Sequence, residues 1–406
     1  MTRALRIAAA CLALAAVLSA GCSSSRKIQY EKVDLERASA EVPPGELLDV
    51  GIMLFDPGLP EGEPDPDSLV FPDVRRAESR YMPYHLRGTL ESSGHWGSVW
   101  VLPDRSASVD LLVWARIDHS DGLEVALRVG AWDATGKEWL NKAYRTRVAE
   151  KAYSRYRDPG LDPYQNVYNE IANDLLALRQ KLGERDLARL REIAELRFAD
   201  DLAPAAFDGF LARDEKGIYS VQRLPAEDDP MLSRLRAVRE REYALVDTLN
   251  EYYAALYFDI GKPYEDWRKV SRTETLKYED LKRSAMLRYL LGGAALLGAI
   301  LYEGNSSSSN SAITTTGVIG GIEGIKAGLA KQREATLARE GIKEQGKSLE
   351  AEAEPLLVEI EGQTKRLSGT AEEKFREWRR LLREVYERET GLPAAVSAPA
   401  TPAPAG

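Results

Sequence analysis

The clearest pattern in the chain alternates every second residue between positions 110 and 148. Leu111, Val113, Ala115 and Ile117 alternate with Leu112, Trp114, Arg116 and Asp118. His119-Ser120-Asp121-Gly122 then predicts a tight turn, because Asp-Gly tolerates the backbone a hairpin needs. Leu123, Val125, Leu127 and Val129 alternate in the next run, and Asp133-Ala134-Thr135-Gly136 predicts a second turn. Residues 137–148 complete a three-stranded antiparallel meander. Upstream, 47–55 (LLDVGIMLF) has the length of a strand, and 56–73 is rich in Pro, Gly, Asp and Glu, as a long acidic loop is. Residues 74–92 carry Ala77, Tyr81, Tyr84, His85, Leu86 and Leu90 at helical spacing and stop at Ser92-Ser93-Gly94. Residues 99–102 read as a short strand. One helix covering one sheet face gives a compact domain over 47–150.

From 151 to 286 the period is helical. Asp162-Pro163 opens a helix through Tyr168, Ile171, Leu175 and Leu178, and a second runs over 184–199. Residues 201–211 form a short amphipathic piece and 217–224 a small strand. Asp229-Pro230 starts a long helix through Leu232, Leu235, Val238, Val246 and Leu249. Its aromatics Tyr252, Tyr253, Tyr257, Phe258, Tyr264 and Trp267 are expected in a helical core.

Residues 287–330 stand apart. The stretch 289–302 (YLLGGAALLGAILY) has no charge, and 303–311 is a polar Ser/Asn loop. In 312–330, Gly320, Gly324 and Gly328 share one helix face, and Gly317 and Gly321 form an offset pair. Ala294 and Gly298 give the same small-residue spacing on the first arm. Such spacing lets two helix backbones approach closely, as in a glycine zipper. Three readings stay open: a packed helical hairpin, a hairpin on or in a bilayer, and a flexible segment. The first arm is shorter than the ~20 apolar residues a membrane span needs.

Residues 331–391 are highly charged and helical in pattern. Leu349, Ala353, Leu356, Ile360 and Leu367 form one apolar seam; Phe375, Trp378, Leu382 and Val385 form another. Packing on the chain's own helices is preferred to a partner zipper. Residues 392–406 are a Pro/Ala tail with the composition of disorder. The fold class expected is α+β: a small helix-on-sheet N-terminal domain, then a mostly α-helical region with a Gly-rich helical hairpin.

The start of the chain changes this picture most. Arg3 and Arg6 precede an apolar run over 7–18, followed by Leu18-Ser19-Ala20-Gly21-Cys22. Residues 1–21 thus resemble a bacterial lipoprotein signal, and that resemblance implies cleavage before Cys22 and its lipidation, palmitate included. Ser23 beside the lipid site resembles outer-membrane lipoproteins facing the periplasm. Residues 22–46 are then the lipidated cysteine and its tether. The only other cysteine, Cys11, lies within the signal, so the mature chain has no thiol for catalysis or a disulfide.

The formal net charge of −9 over 406 residues gives nucleic-acid binding no support. His85, His95 and His119 have no metal-ligand spacing. Asp65, Asp67, Asp73 and Asp228-Asp229 lack a calcium-loop pattern and read as solvated loop acids. There is no nucleophile elbow, phosphate loop or dinucleotide fingerprint, so no catalytic residue, cofactor or metal is assigned.

The tyrosine-bearing helix, the Ser-Gly break, the short strand and the meander resemble ABC-type transport auxiliary lipoproteins. They also resemble the TolB N-terminal domain and LpoB and CsgG-like periplasmic modules. This resemblance covers 47–150 and implies a non-enzymatic module that binds an envelope protein. Two other functions stay in play: a membrane-associated oligomer or pore former built on the glycine face, and an envelope hydrolase with clustered carboxylates of raised pKa.

Overall fold

The computed structural model describes residues 32–60, 70, 72–105, 109–154, 161–226, 228–303, 357–360, 363–366 and 371–390. A five-stranded mixed sheet forms the centre, in the order β2-β1-β3-β4-β5. Its strands are β1 (Val50–Met53), β2 (Val99–Leu102), β3 (Leu111–Ser120), β4 (Glu124–Asp133) and β5 (Glu138–Arg147). β1 is parallel to both β2 and β3, whereas β3, β4 and β5 are the antiparallel meander. The α+β expectation therefore holds, and alternation was its signal. Val113, Ala115, Ile117, Val125, Leu127 and Val129 are all buried on one face.

More than one helix covers that face. Helix α1 (Pro72–Ser93) joins β1 to β2. Helix α2 (Gln165–Arg179), from beyond the expected domain boundary at 150, packs beside α1 and over β5. One core cluster holds the inner sheet face, α1, α2 and residues Leu256, Ile260, Tyr264 and Trp267 from much further along. The chain ahead of β1 is docked rather than free from residue 33 onward. Asn166 and Asn173 on α2 accept from the Val33 and Glu36 amides at 3.3 and 2.9 Å, and Asn169 and Asn173 donate to the Val33 and Asp34 carbonyls. These polar positions on α2 turn an expected tether into an anchored strap.

A second cluster lies at the β2 end of the sheet. Helix α3 (Glu184–Leu202) and the short helix α4 (Pro204–Phe207) lead into a two-stranded ribbon, β6 (Leu211–Arg213) with β7 (Tyr219–Val221). Helix α5 then runs unbroken from Pro230 to Glu303, 74 residues and so about 110 Å. Asp229 caps it, accepting from the Met231 and Leu232 amides, with Pro230 at the first turn. Its buried stripe recurs every third or fourth residue from Leu232 through Leu249, Tyr253 and Tyr264 to Thr275.

The first arm of the expected hairpin is therefore the far end of α5, not a separate helix. The second arm, 312–330, lies outside the described residues. Phe258 departs from the expected aromatic core, being 72 % exposed. Residues 357–366 also depart from the expected coiled-coil seam. Leu357–Ile360 and Gln363–Arg366 pair instead as antiparallel strands β8 and β9. Helix α6 (Ala371–Thr390) packs on the base of α5 through Phe375, Trp378 and Tyr386, as the own-helix reading expected. Among the described residues no helix is long and apolar enough to cross a membrane.

Candidate functional site

The most heavily charged part of the interior lies where the β3–β4 turn meets α5. The turn is built by its own residues. Asp121 Oδ1 accepts from the Leu123 and Glu124 amides at 2.9 and 2.7 Å, and Gly122 takes a φ of 78°. A Cβ at Gly122 would collide with the Arg268 carbonyl oxygen, so glycine lets the helix backbone lie directly on the turn. Ser271 on α5 donates to the Asp121 carbonyl at 2.6 Å. Tyr153 donates to the Gly122 carbonyl at 2.7 Å, and the Gly122 amide donates to the Tyr164 hydroxyl at 2.9 Å.

At the centre Arg268 grips Asp162. Its two terminal nitrogens donate to the two carboxylate oxygens at 2.8 Å each, with the side chains only 2 % and 4 % exposed. The parallel fork is the strongest geometry an ion pair offers. Burial pushes the Asp162 carboxyl up, but the Arg268 charge, His85 and the Tyr164 amide overcome it and hold it at about 2. The guanidinium also lies over three rings, 4.2 Å from the Tyr264 centroid, 5.1 Å from Tyr164 and 5.9 Å from Tyr81. Burial drives the hydroxyls of Tyr164, Tyr168 and Tyr264 well above their ordinary range, so all three stay neutral.

Two side chains of α1 complete the cluster. Glu78, fully buried, accepts at Oε1 from Tyr264 at 2.6 Å and from Ser120. Its Oε2 stands 3.9 Å from Arg75 Nη1. His85 uses both ring nitrogens, 2.8 Å from the Tyr257 hydroxyl on α5 and 2.8 Å from Gln165 Oε1 on α2. The cluster thus ties α1, α2, the β3–β4 turn and α5 together. Its chemistry is that of a clamp, because its charges are matched to one another.

A smaller device closes the sheet edge. Asn250 on α5 accepts from the Val101 amide at 2.8 Å and donates to the Val101 carbonyl at 3.0 Å. It pairs the outer edge of β2 as a strand would, and Trp100 adds a bond to Asp247 at 2.9 Å. At the other end of the same strands, burial raises the Asp110 carboxyl to about 6 against the bond it accepts from the Asp49 amide. The neighbouring Asp49 accepts from the Ser98 amide at 2.8 Å. These two carboxylates cap the loops that open β1, β2 and β3.

The sequence-derived candidates fall elsewhere. Cys22, Gly317, Gly320, Gly321, Gly324 and Gly328 lie outside the described residues, as do Asp65 and Asp67. Ala294 and Gly298 lie in the last turns of α5. His85 belongs to the clamp, and His119 faces Asp121 at 3.0 Å. Among the described residues no cluster of three or more His, Cys, Asp or Glu is placed to hold a metal. Arg268 and Glu78 were missed, although Arg268 had a legible signal. It occupies the apolar stripe between Tyr264 and Ser271, a position where a charge must find a partner. Nothing local marked Asp162 as that partner, since Asp-Pro reads equally well as a helix start. No protein-family model, curated protein or solved structure matches the chain.

Proposed function

We propose that this chain is a lipid-anchored, non-enzymatic lipoprotein of the outer membrane, facing the periplasm. In this reading it binds a protein partner as an accessory or assembly component of an envelope machine. The observation that carries the reading is the clamp on α5. The buried Asp162–Arg268 pair and the turn at Gly122 fix one part of a very long helix, and Arg147 reaches it again at Glu279 with a 2.9 Å ion pair. Some 40 Å of helix continue past Thr275 to Glu303, carrying the uncharged stretch 289–302 at the far end. A head with a rigid arm is suited to holding two binding ends at a set distance. Cys22 and the family resemblance of 47–150 supply the envelope context.

The test is a crosslinked pull-down from native membranes with the intact protein and with a 287–330 deletion, beside palmitate labelling of a Cys22→Ser variant. One partner captured by both forms, with label lost in the variant, supports the reading. Unchanged labelling removes the lipid anchor, and no specific partner removes the assembly role.

A membrane-associated oligomer is the second reading, favoured by the position of the uncharged stretch at the helix tip. It expects detergent-resistant oligomers that vanish when Gly320, Gly324 and Gly328 become leucine. A monomer in both forms would sink it.

A further inference from the structure

The two faces of the meander are unlike. The inner face is apolar and covered, whereas the outer face of β3–β5 carries Trp114, Arg116, Arg128, Trp132 and Arg145. Arg116 and Arg128 are direct cross-strand partners. Like charges placed opposite one another weaken an antiparallel pair. Arg116, 52 % exposed, has Asp118 at 3.4 Å, and Arg145 has Glu124 at 2.8 Å. Arg128 is exposed with no ion-pair partner among the described residues. Beside the arginines, Trp114 and Trp132 stack with centroids 5.6 Å apart, and Arg105 lies 4.7 Å over the Trp132 ring. Gly130 makes the stack possible, because a Cβ there would collide with the Trp114 indole.

A glycine inside a strand lowers stability, here in return for the tryptophan stack, and Arg128 faces a second arginine with no carboxylate of its own among the described residues. Arg128, exposed and without an ion-pair partner among the described residues, is the guanidinium left to a partner. Guanidinium forks match carboxylates, and the two indoles, partly buried with Trp132 resting on the second core cluster, leave part of their flat apolar area at the edge of the patch. Asp118 and Glu124 already engage Arg116 and Arg145, so a partner's carboxylate is directed to Arg128.

We propose that the outer face of β3–β5, centred on Arg116 and Arg128 and flanked by the Trp114–Trp132 stack, docks an acidic polypeptide segment that also carries apolar side chains. This names the surface and chemistry of the partner contact and rests on the partner-binding reading above.

The probe is a fluorescein-labelled peptide of repeating Glu-Glu-Leu, titrated with the full chain by anisotropy, beside its Lys-Lys-Leu counterpart and phosphatidylglycerol vesicles. The acidic peptide alone binds. Arg128→Thr weakens it by about tenfold or more with an unchanged circular dichroism spectrum, and binding shifts tryptophan emission. Equal binding by Arg128→Thr, no binding by the intact chain, or vesicle binding in place of peptide binding overturns the proposal. The membrane pull-down separates the two ideas. A partner captured equally by the intact chain and by Arg128→Thr leaves the partner-binding reading standing and this surface wrong.

Discussion

Two pairs of charged residues, Asp162 with Arg268 and Arg116 with Arg128, sit on opposite sides of the same meander and follow opposite rules. The first is sealed from water, matched in sign and gripped by a parallel fork. The second is exposed and alike in sign, set together by strand register, with a carboxylate, Asp118, beside Arg116 alone. In water a like-charge pair costs little, because screening is strong. In the core any unmatched charge costs several kcal/mol. The chain therefore has to solve its electrostatics inside, at the clamp on α5, and is free to leave them unsolved outside. That freedom is why the outer face, and not the more elaborate clamp, is the better place to look for a partner.

The comparison breaks most visibly at the clamp. Arg268→Met strands a buried carboxylate, and chemical denaturation should show a loss of roughly 3–5 kcal/mol. The double change Asp162→Leu with Arg268→Met should recover most of it, since an apolar pair of similar volume removes the uncompensated charge. A double variant as unstable as the single one would mean that packing of the arginine stem, not charge, holds the helix.

Acid separates two buried carboxylates by sign. Asp162 is depressed to about 2 when folded, so its contribution is complete above the ordinary carboxylate range and is lost as pH falls through about 2. The loss is on the order of 2 kcal/mol, and it should vanish from the acid titration of the double variant. Asp110 is raised to about 6, so it destabilises the fold above that pH and stops doing so as it protonates toward pH 4. Asp110→Asn should therefore be more stable than the parent at pH 7, by up to about 3 kcal/mol, with the difference closing by pH 4. A difference independent of pH would mean that the carboxyl is not the cause.

Asn250→Ala opens the β2 edge by leaving the Val101 amide and carbonyl without their side-chain partner. A loss of about 1–3 kcal/mol is expected, with faster amide exchange at Val101 in hydrogen-exchange measurements. Exchange that does not change would show that the rest of α5 protects the edge unaided.

The smallest effect has the opposite direction. Arg128→Thr relieves the exposed arginine pair and adds a β-branched residue to a strand, so stability should rise by roughly 0.2–1 kcal/mol. Raising salt should shrink the difference. A stabilising change that also lowers peptide binding is the signature of a surface kept for function; a destabilising one would place Arg128 in the structural framework.

Much of this protein was legible along the chain because its signals are local. Period two over 111–129, the Asp121-Gly122 turn and Asp229-Pro230 ahead of a helical stripe each depend on residues within a few positions of one another. They led correctly to the meander, the hairpin turn and the start of α5. The sheet order, with β1 between β2 and β3, depends on partners 49 and 61 positions apart, and the coverage of the inner face by α5 depends on contacts across more than a hundred positions. So does the pairing of Asp162 with Arg268. An arginine on an apolar stripe announces that a carboxylate is needed, but burial and approach in three dimensions choose which one. The outer arginines show the same division. Alternation alone places Arg116 and Arg128 on the solvent side of their strands, whereas the register that sets them opposite one another is a property of the folded sheet.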